Sequence, residues 1–154
     1  MNIAVASDHG GYHLKITVIQ TIQAVGHSAI DLGAFSEDPS DYPDLAEKVG
    51  HAILTGEAER GILLCGSGVG ACIAANKLTG VYAGVCHDTY SAHQAVEHDD
   101  MNVLCLGARV IGVEVAKELV QTFLGARYIG RDPGQERHSR RVMKLRALEQ
   151  TDKK

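Results

Sequence analysis

The sequence predicts an α/β protein: a three-layer, doubly wound domain built on a five-stranded parallel sheet, flavodoxin- or Rossmann-like, with an added C-terminal helix. Three observations lead there. Short apolar, β-branched runs recur along the chain, helix-length segments separate them, and the polar and glycine-rich signals fall where the runs end. Strands that are apolar throughout need cover on both faces, which calls for parallel pairing through crossover helices. Right-handed crossovers then set helices on both sides, with the strand order 2-1-3-4-5 expected.

The elements follow in order. NIAVAS (2–7) is the first strand, and the glycine pair at 10 and 11 opens a helix over 11–25. SAIDL (28–32) is the second, after which the turn-like SEDPSD leads into a helix over 41–56, where Leu45, Val49, Ala52 and Ile53 recur at helical spacing. GILLC (61–65) is the third strand and runs through a glycine-rich loop into a helix over 68–78. VYAGVC (81–86) is the fourth, followed by a helix over 88–98 opened by Asp88, a good N-cap residue. NVLCLG (102–107) is the fifth, and Gly112 precedes a helix over 112–124. Beyond the breaker run GRDPG, residues 136–150 form a last helix with a dense arginine face. No strand follows it, so it is expected to pack outward on a partner subunit. There is no internal repeat, low-complexity segment or linker, and 1–154 reads as one domain.

Composition narrows the function. A 45% hydrophobic, 22% charged chain without a run of about 20 apolar residues is an ordinary globular protein rather than a membrane or disordered one. The N-terminal MNIAVASDHGG lacks the basic segment and the longer apolar stretch of a signal peptide, so a cytoplasmic location is expected. The four cysteines, Cys65, Cys72, Cys86 and Cys105, form no CxxC pair or disulfide framework and are read as reduced. Residues 1–126 hold 6 basic and 15 acidic residues, whereas 127–154 hold 9 basic and 4 acidic. The basic tail suits an anionic ligand or an acidic neighbouring subunit; with so few aromatics there, nucleic acid is not expected.

Ligands of a doubly wound sheet sit at the strand C-terminal ends. CGSGVG (65–70) ends the third strand and opens a helix, and its glycines let successive backbone N–H groups turn toward one anion. It lacks the lysine of GxxxxGK[ST] and is out of register with GxGxxG; a tight turn without ligand is the plain alternative. Cys65 stands where a helix N-terminus favours thiolate, which suits a nucleophile or base, and Ser67 lies beside it. A small buried hydrophobe is the alternative for any such cysteine and fits Cys72, Cys86 and Cys105 better. Asp8 and His9 end the first strand as a carboxylate–imidazole pair able to bind hydroxyls or exchange protons, or else Asp8 is a helix N-cap. His98 lies just before the fifth strand beside Asp99 and Asp100. Arg137 and Arg141 share one face of the last helix with forks suited to phosphate, and Arg109 follows the fifth strand. His13, His27, His51, His87, His93 and His138 form no ligand spacing, so no metal site is expected.

ASDHGG, DYPDLA, GILLCGSGVGACIAANK, YSA before His98, NVLCLGARVIG and RHSRR span the chain in order, and together they resemble the ribose-5-phosphate isomerases of type B, a family shared with galactose-6-phosphate isomerase subunits. The resemblance implies cofactor-free interconversion of D-ribose 5-phosphate and D-ribulose 5-phosphate through a cis-enediolate. Carried over residue by residue, it implies Cys65 as the base, Gly66, Ser67, Gly68, Val69 and Gly70 around the developing oxyanion, and His98 opening the sugar ring. It further implies Asp8 on ring hydroxyls, His9, Arg109, Arg137 and Arg141 on phosphate, Tyr42 lining the pocket, and sites shared in a homodimer that can pair into a tetramer. Asp99 stands where the family is expected to carry asparagine, Ala71 where some relatives use a glutamate base, and GRDPGQE is longer than typical. Isomerases of allose 6-phosphate, galactose 6-phosphate or a tetrose phosphate are the neighbouring alternatives. A sugar-phosphate sensor without turnover and a flavin-carrying electron-transfer protein are the alternatives outside that chemistry.

Overall fold

The computed structural model describes residues 1–151. Five strands, β1 (Asn2–Ser7), β2 (Ser28–Asp31), β3 (Arg60–Cys65), β4 (Ala83–Val85) and β5 (Val103–Gly107), alternate with α1 (Tyr12–Ala24), α2 (Tyr42–Leu54), α3 (Val69–Ala75), α4 (Thr89–Asp99) and α5 (Val113–Gly125), and α6 (Glu136–Thr151) follows. Every strand pair is parallel. The order is β2-β1-β3-β5-β4, not the expected 2-1-3-4-5. The reason lies in side-chain cover: all five residues of β5 are buried, whereas the three of β4 are only partly so. The longer, wholly apolar strand takes the interior and the short one the edge.

Alternation along the strands divides the core. Ile3, Val5, Ile62, Leu64, Leu104 and Leu106 face Leu14, Val18, Ile22, Val96, Leu119 and Phe123 of α1, α4 and α5. Ala4, Ala6, Leu63, Cys65, Val103 and Cys105 face Leu45, Val49, Ala52, Ala71 and Ala75 of α2 and α3. Each large side chain so buried contributes about 1.5–3 kcal/mol. The small residues on the second face let α2 and α3 lie close to the sheet, so the loop entering α3 sits directly above the β3 terminus.

Local chemistry sets the helix ends near that terminus. The Asp88 carboxylate accepts the Ser91 N–H at 2.7 Å and caps α4. Pro43 and Asp44 occupy the first turn of α2, where a fixed φ and a negative charge both favour initiation. α4 stops at Asp100, which adopts the left-handed conformation (φ 59°).

Candidate active site

Above the β3 terminus lies a cleft of about 560 Å³ lined by Asp8, Tyr42, Cys65, Gly66, Ser67, Val69, Gly70, Arg109 and Val110. Its floor is built by backbone. Asp8 N–H donates to Leu64 O at 3.1 Å, Ala108 N–H to Cys65 O at 2.9 Å, and Arg109 N–H to Gly66 O at 3.0 Å. The ends of β1, β3 and β5 are thus tied into one platform. Gly68 has φ +82°, and a Cβ there would lie 3.0 Å from the Leu106 carbonyl carbon, so only glycine lets the loop turn against β5.

Cys65 is buried at the bottom of the cleft, and the Gly68 N–H donates to its sulfur at 3.0 Å. Ser67 is exposed beside it, with its hydroxyl 3.3 Å from Val69 N. Tyr42 begins α2 and lays its ring against the loop; a Cβ on Gly70 would fall within 3.0 Å of that ring. Asp8 takes the capping role and stands at the edge of the cleft. Its Oδ1 accepts from Gly10 N at 2.8 Å and Gly11 N at 3.2 Å, capping the short turn after β1, and its side chain still borders the cleft. His9 is exposed next to it, held at Ser40 by two bonds: its N–H donates to Ser40 Oγ, and its Nδ1 accepts from Ser40 N.

His98, Asp99, Arg137 and Arg141 do not line this cleft within one chain. They gather elsewhere, where the end of α4 meets the start of α6. The His98 and His138 rings stack with centroids 4.1 Å apart, and Arg137 Nε donates to His138 Nε2 at 3.0 Å. Gln94 Nε2 lies 2.9 Å from His98 Nδ1. Burial, then the neighbouring charges of His98, Arg137 and Arg141, hold His138 below the usual imidazole value, with Asp99 opposing. The long connection before α6 is stapled by Arg127, whose two terminal nitrogens donate to the Asp132 carboxylate at 3.1 and 2.6 Å. Arg137 and Arg141 lie in the first two turns of α6.

Sequence reasoning passed over His138, although its place between Arg137 and Arg141 was a signal. It also passed over His87, which precedes the cap residue Asp88 and accepts the Gly107 N–H at 3.0 Å, steadying the end of β5. Cys86 and Cys105 are buried as expected, but Cys72 departs from that reading: it is half-buried and its thiol is lowered to about 7. Among the described residues no three His, Cys, Asp or Glu side chains gather as a metal site, and no helix is long and apolar enough to cross a membrane.

A family model described as ribose/galactose isomerase matches residues 3–145. Ribose-5-phosphate isomerase B of Escherichia coli is 44% identical over 148 residues, covering 96% of each chain. D-erythrulose-4-phosphate isomerase of Pectobacterium atrosepticum is 44% identical over 134 residues, covering 84% of this chain and 86% of that one. The solved structure of Clostridium thermocellum ribose-5-phosphate isomerase B superposes with a TM-score of 0.92 at 42% identity, covering 98% of this chain and 99% of that one.

Proposed function

The chain belongs to the ribose/galactose isomerase family and is a sugar-phosphate isomerase, and from that premise we propose that it interconverts D-ribose 5-phosphate and D-ribulose 5-phosphate with Cys65 as the base. The observation that carries the reading is a buried thiol at a strand terminus, touched by the Gly68 N–H and faced by Ser67, Asp8, Tyr42 and Arg109. The Cys65 thiolate takes the proton from C2 of the open-chain aldose and negative charge passes to O1; the C2 hydroxyl proton moves to O1, and as the electron pair returns from O2 to form the C2 carbonyl, C1 receives the proton back from Cys65. N–H groups of the 66–70 loop and the Ser67 hydroxyl hold the oxygens on which charge develops. Asp8 orients ring hydroxyls, while His9 and Arg109 reach toward phosphate.

Ring opening and the rest of the phosphate grip come from a second copy. Two facts support this: His98, Arg137 and Arg141 form a cationic cluster away from the cleft of their own chain, and α6 exposes Met143, Leu145 and Leu148. In a two-fold dimer the partner subunit's His98 donates the proton that opens the furanose, and the partner's Arg137 and Arg141 hold phosphate. Asp99, together with the 44% identity to an isomerase of D-erythrulose 4-phosphate, favours a tetrose phosphate as the second reading.

The test is conversion of D-ribose 5-phosphate by the purified protein, with D-erythrulose 4-phosphate in parallel and Cys65→Ala as control. Removing the base lowers kcat by about 10²–10⁴-fold with little change in KM. Full turnover by Cys65→Ala would remove it from the chemistry, and turnover of the four-carbon sugar alone would reassign the substrate.

A further inference from the structure

On the side of β5 away from Cys65, the floor of the cleft is tied to one side chain that does not enter the cleft. β4 pairs with β5 only as far as Val85 opposite Cys105, and the chain then leaves the sheet toward α4. β5 continues through Leu106 to Gly107. Successive N–H groups of an inner strand point alternately to its two neighbours. That of Ala108 goes to Cys65 O on β3, so that of Gly107 faces the edge that β4 has vacated. Gly107 is buried, and a donor left there without an acceptor is costly.

His87 supplies the acceptor from its ring. Its Nε2 accepts the Gly107 N–H at 3.0 Å, which requires a neutral imidazole whose proton sits on Nδ1. The backbone that carries the ring is itself fixed, because the next residue, Asp88, accepts the Ser91 N–H at 2.7 Å and caps α4. A strand acceptor is thus replaced by a side chain anchored on a helix start.

The peptide held in this way is the one on which the glycine-rich turn lies. A Cβ on Gly107 would come within 2.6 Å of Ser67 O, and a Cβ on Gly68 would lie 3.1 Å from Gly107 N. With no side chain between turn and strand, a shift of the Gly107 peptide passes directly to Ser67 and Gly68. Gly68 N–H donates to Cys65 sulfur at 3.0 Å, and Ser67 lines the cleft. Arg109 has its own tie to the platform, through its N–H to Gly66 O at 3.0 Å.

We propose that His87 is a positioning residue for the isomerisation, holding the Ser67–Gly68 turn in place through the Gly107 peptide; the role rests on the isomerase reading of the cleft. His87 touches no reacting atom and is absent from the cleft lining. Loop donors that drift from the oxygen gaining charge lose most in the transition state, where that charge is largest, and little in substrate binding.

The experiment compares His87→Leu, His87→Asn and His87→Gln with the wild type on whichever of D-ribose 5-phosphate and D-erythrulose 4-phosphate the wild type converts. Leucine accepts no hydrogen bond, the asparagine amide stops short of Gly107 N, and the glutamine Oε1 reaches the place of the ring Nε2. His87→Leu and His87→Asn are expected to lower kcat about 10–100-fold with KM changed less than about threefold, and His87→Gln to keep kcat within about threefold of wild type. The asparagine variant serves where the leucine variant does not fold. In wild-type protein labelled with ¹⁵N-histidine, the His87 Nε2 is expected to resonate as an unprotonated nitrogen and Nδ1 as a protonated one. Unchanged kcat in the leucine and asparagine variants, an equal loss in the glutamine variant, a change confined to KM, or a protonated Nε2 would each overturn the proposal. Wild-type protein that converts neither sugar phosphate would overturn the isomerase reading and the positioning role together, whereas an active wild type beside equally active variants overturns the positioning role alone.

Discussion

Lys15→Met tests how the platform beneath the site is held. The Lys15 side chain is 2% exposed, and its ammonium donates to Asp31 Oδ1 and to Ala34 O, each at 2.6 Å. The Ala34 turn is bonded to β1 in both directions, by Ser7 N–H to Gly33 O at 2.7 Å and Ala34 N–H to Ser7 O at 2.6 Å, and Ser7 precedes Asp8. Losing one partner of a fully buried ion pair costs about 3–5 kcal/mol. Here the cost is smaller, because the Asp31 side chain is 36% exposed and rehydrates, and its Oδ1 keeps the Gly33 N–H at 3.0 Å. Methionine also preserves most of the apolar stem. A loss of about 2–3 kcal/mol follows, dominated by the orphaned Ala34 carbonyl and the lost charge-assisted bond. For a chain of this length that lowers Tm by roughly 5–12 °C. Thermal unfolding followed by circular dichroism measures it, alongside KM, which should rise as Asp8 loses its support while kcat changes less. A drop of under about 2 °C would show that the buried cation is dispensable and the reasoning wrong.

Three further outcomes are expected. Arg141→Ala should raise KM for the sugar phosphate more than it lowers kcat, since a phosphate handle serves ground and transition states alike; steady-state kinetics with an unchanged KM would exclude it from the phosphate site. Mixing separately inactive Cys65→Ala and His98→Asn proteins, with subunit exchange, should restore about a quarter of wild-type activity, because half the dimers then carry one intact site; no recovery would refute shared sites. His138 is held below its unfolded value by burial and by His98, Arg137 and Arg141, with Asp99 opposing. The unfolded chain therefore binds a proton that the folded one refuses, and stability falls as pH drops below about 6.5. His138→Gln should lessen that fall in Tm between pH 7.5 and 5.5, and equal slopes in the two proteins would disprove the assignment.

What the sequence could reveal depended on how local the cause was. Alternation of apolar runs with helical spacing marked all five strands and six helices, because periodicity is set within each segment. The order of the last two strands was not local. Both VYAGVC and NVLCLG read as buried strands, and only the competition for the sheet interior, won by the longer apolar β5, put β4 at the edge. Cys65, Ser67 and the loop were legible because a strand, a glycine-rich turn and a helix follow one another directly. Asp8, Tyr42 and Arg109 entered the same cleft because parallel strands bring their C-terminal ends together.

The residues that escaped notice draw their properties from partners distant in sequence. His138 is made unusual by a ring 40 positions away on α4, and Cys72 by a thiol on β5 that the chain reaches only after another strand and helix. Neither histidine nor cysteine carries local information about such a neighbour, so spacing rules assign both to the bland class. The same distance sets what these contacts report. A contact within one segment persists as long as that segment does, whereas a contact between α3 and β5, or between α4 and α6, reports on tertiary arrangement. A proton placed at His138 therefore acts on the contact between α4 and α6 rather than on one segment. In this fold those elements carry the glycine-rich loop of the cleft at one contact and the arginine–histidine cluster at the other.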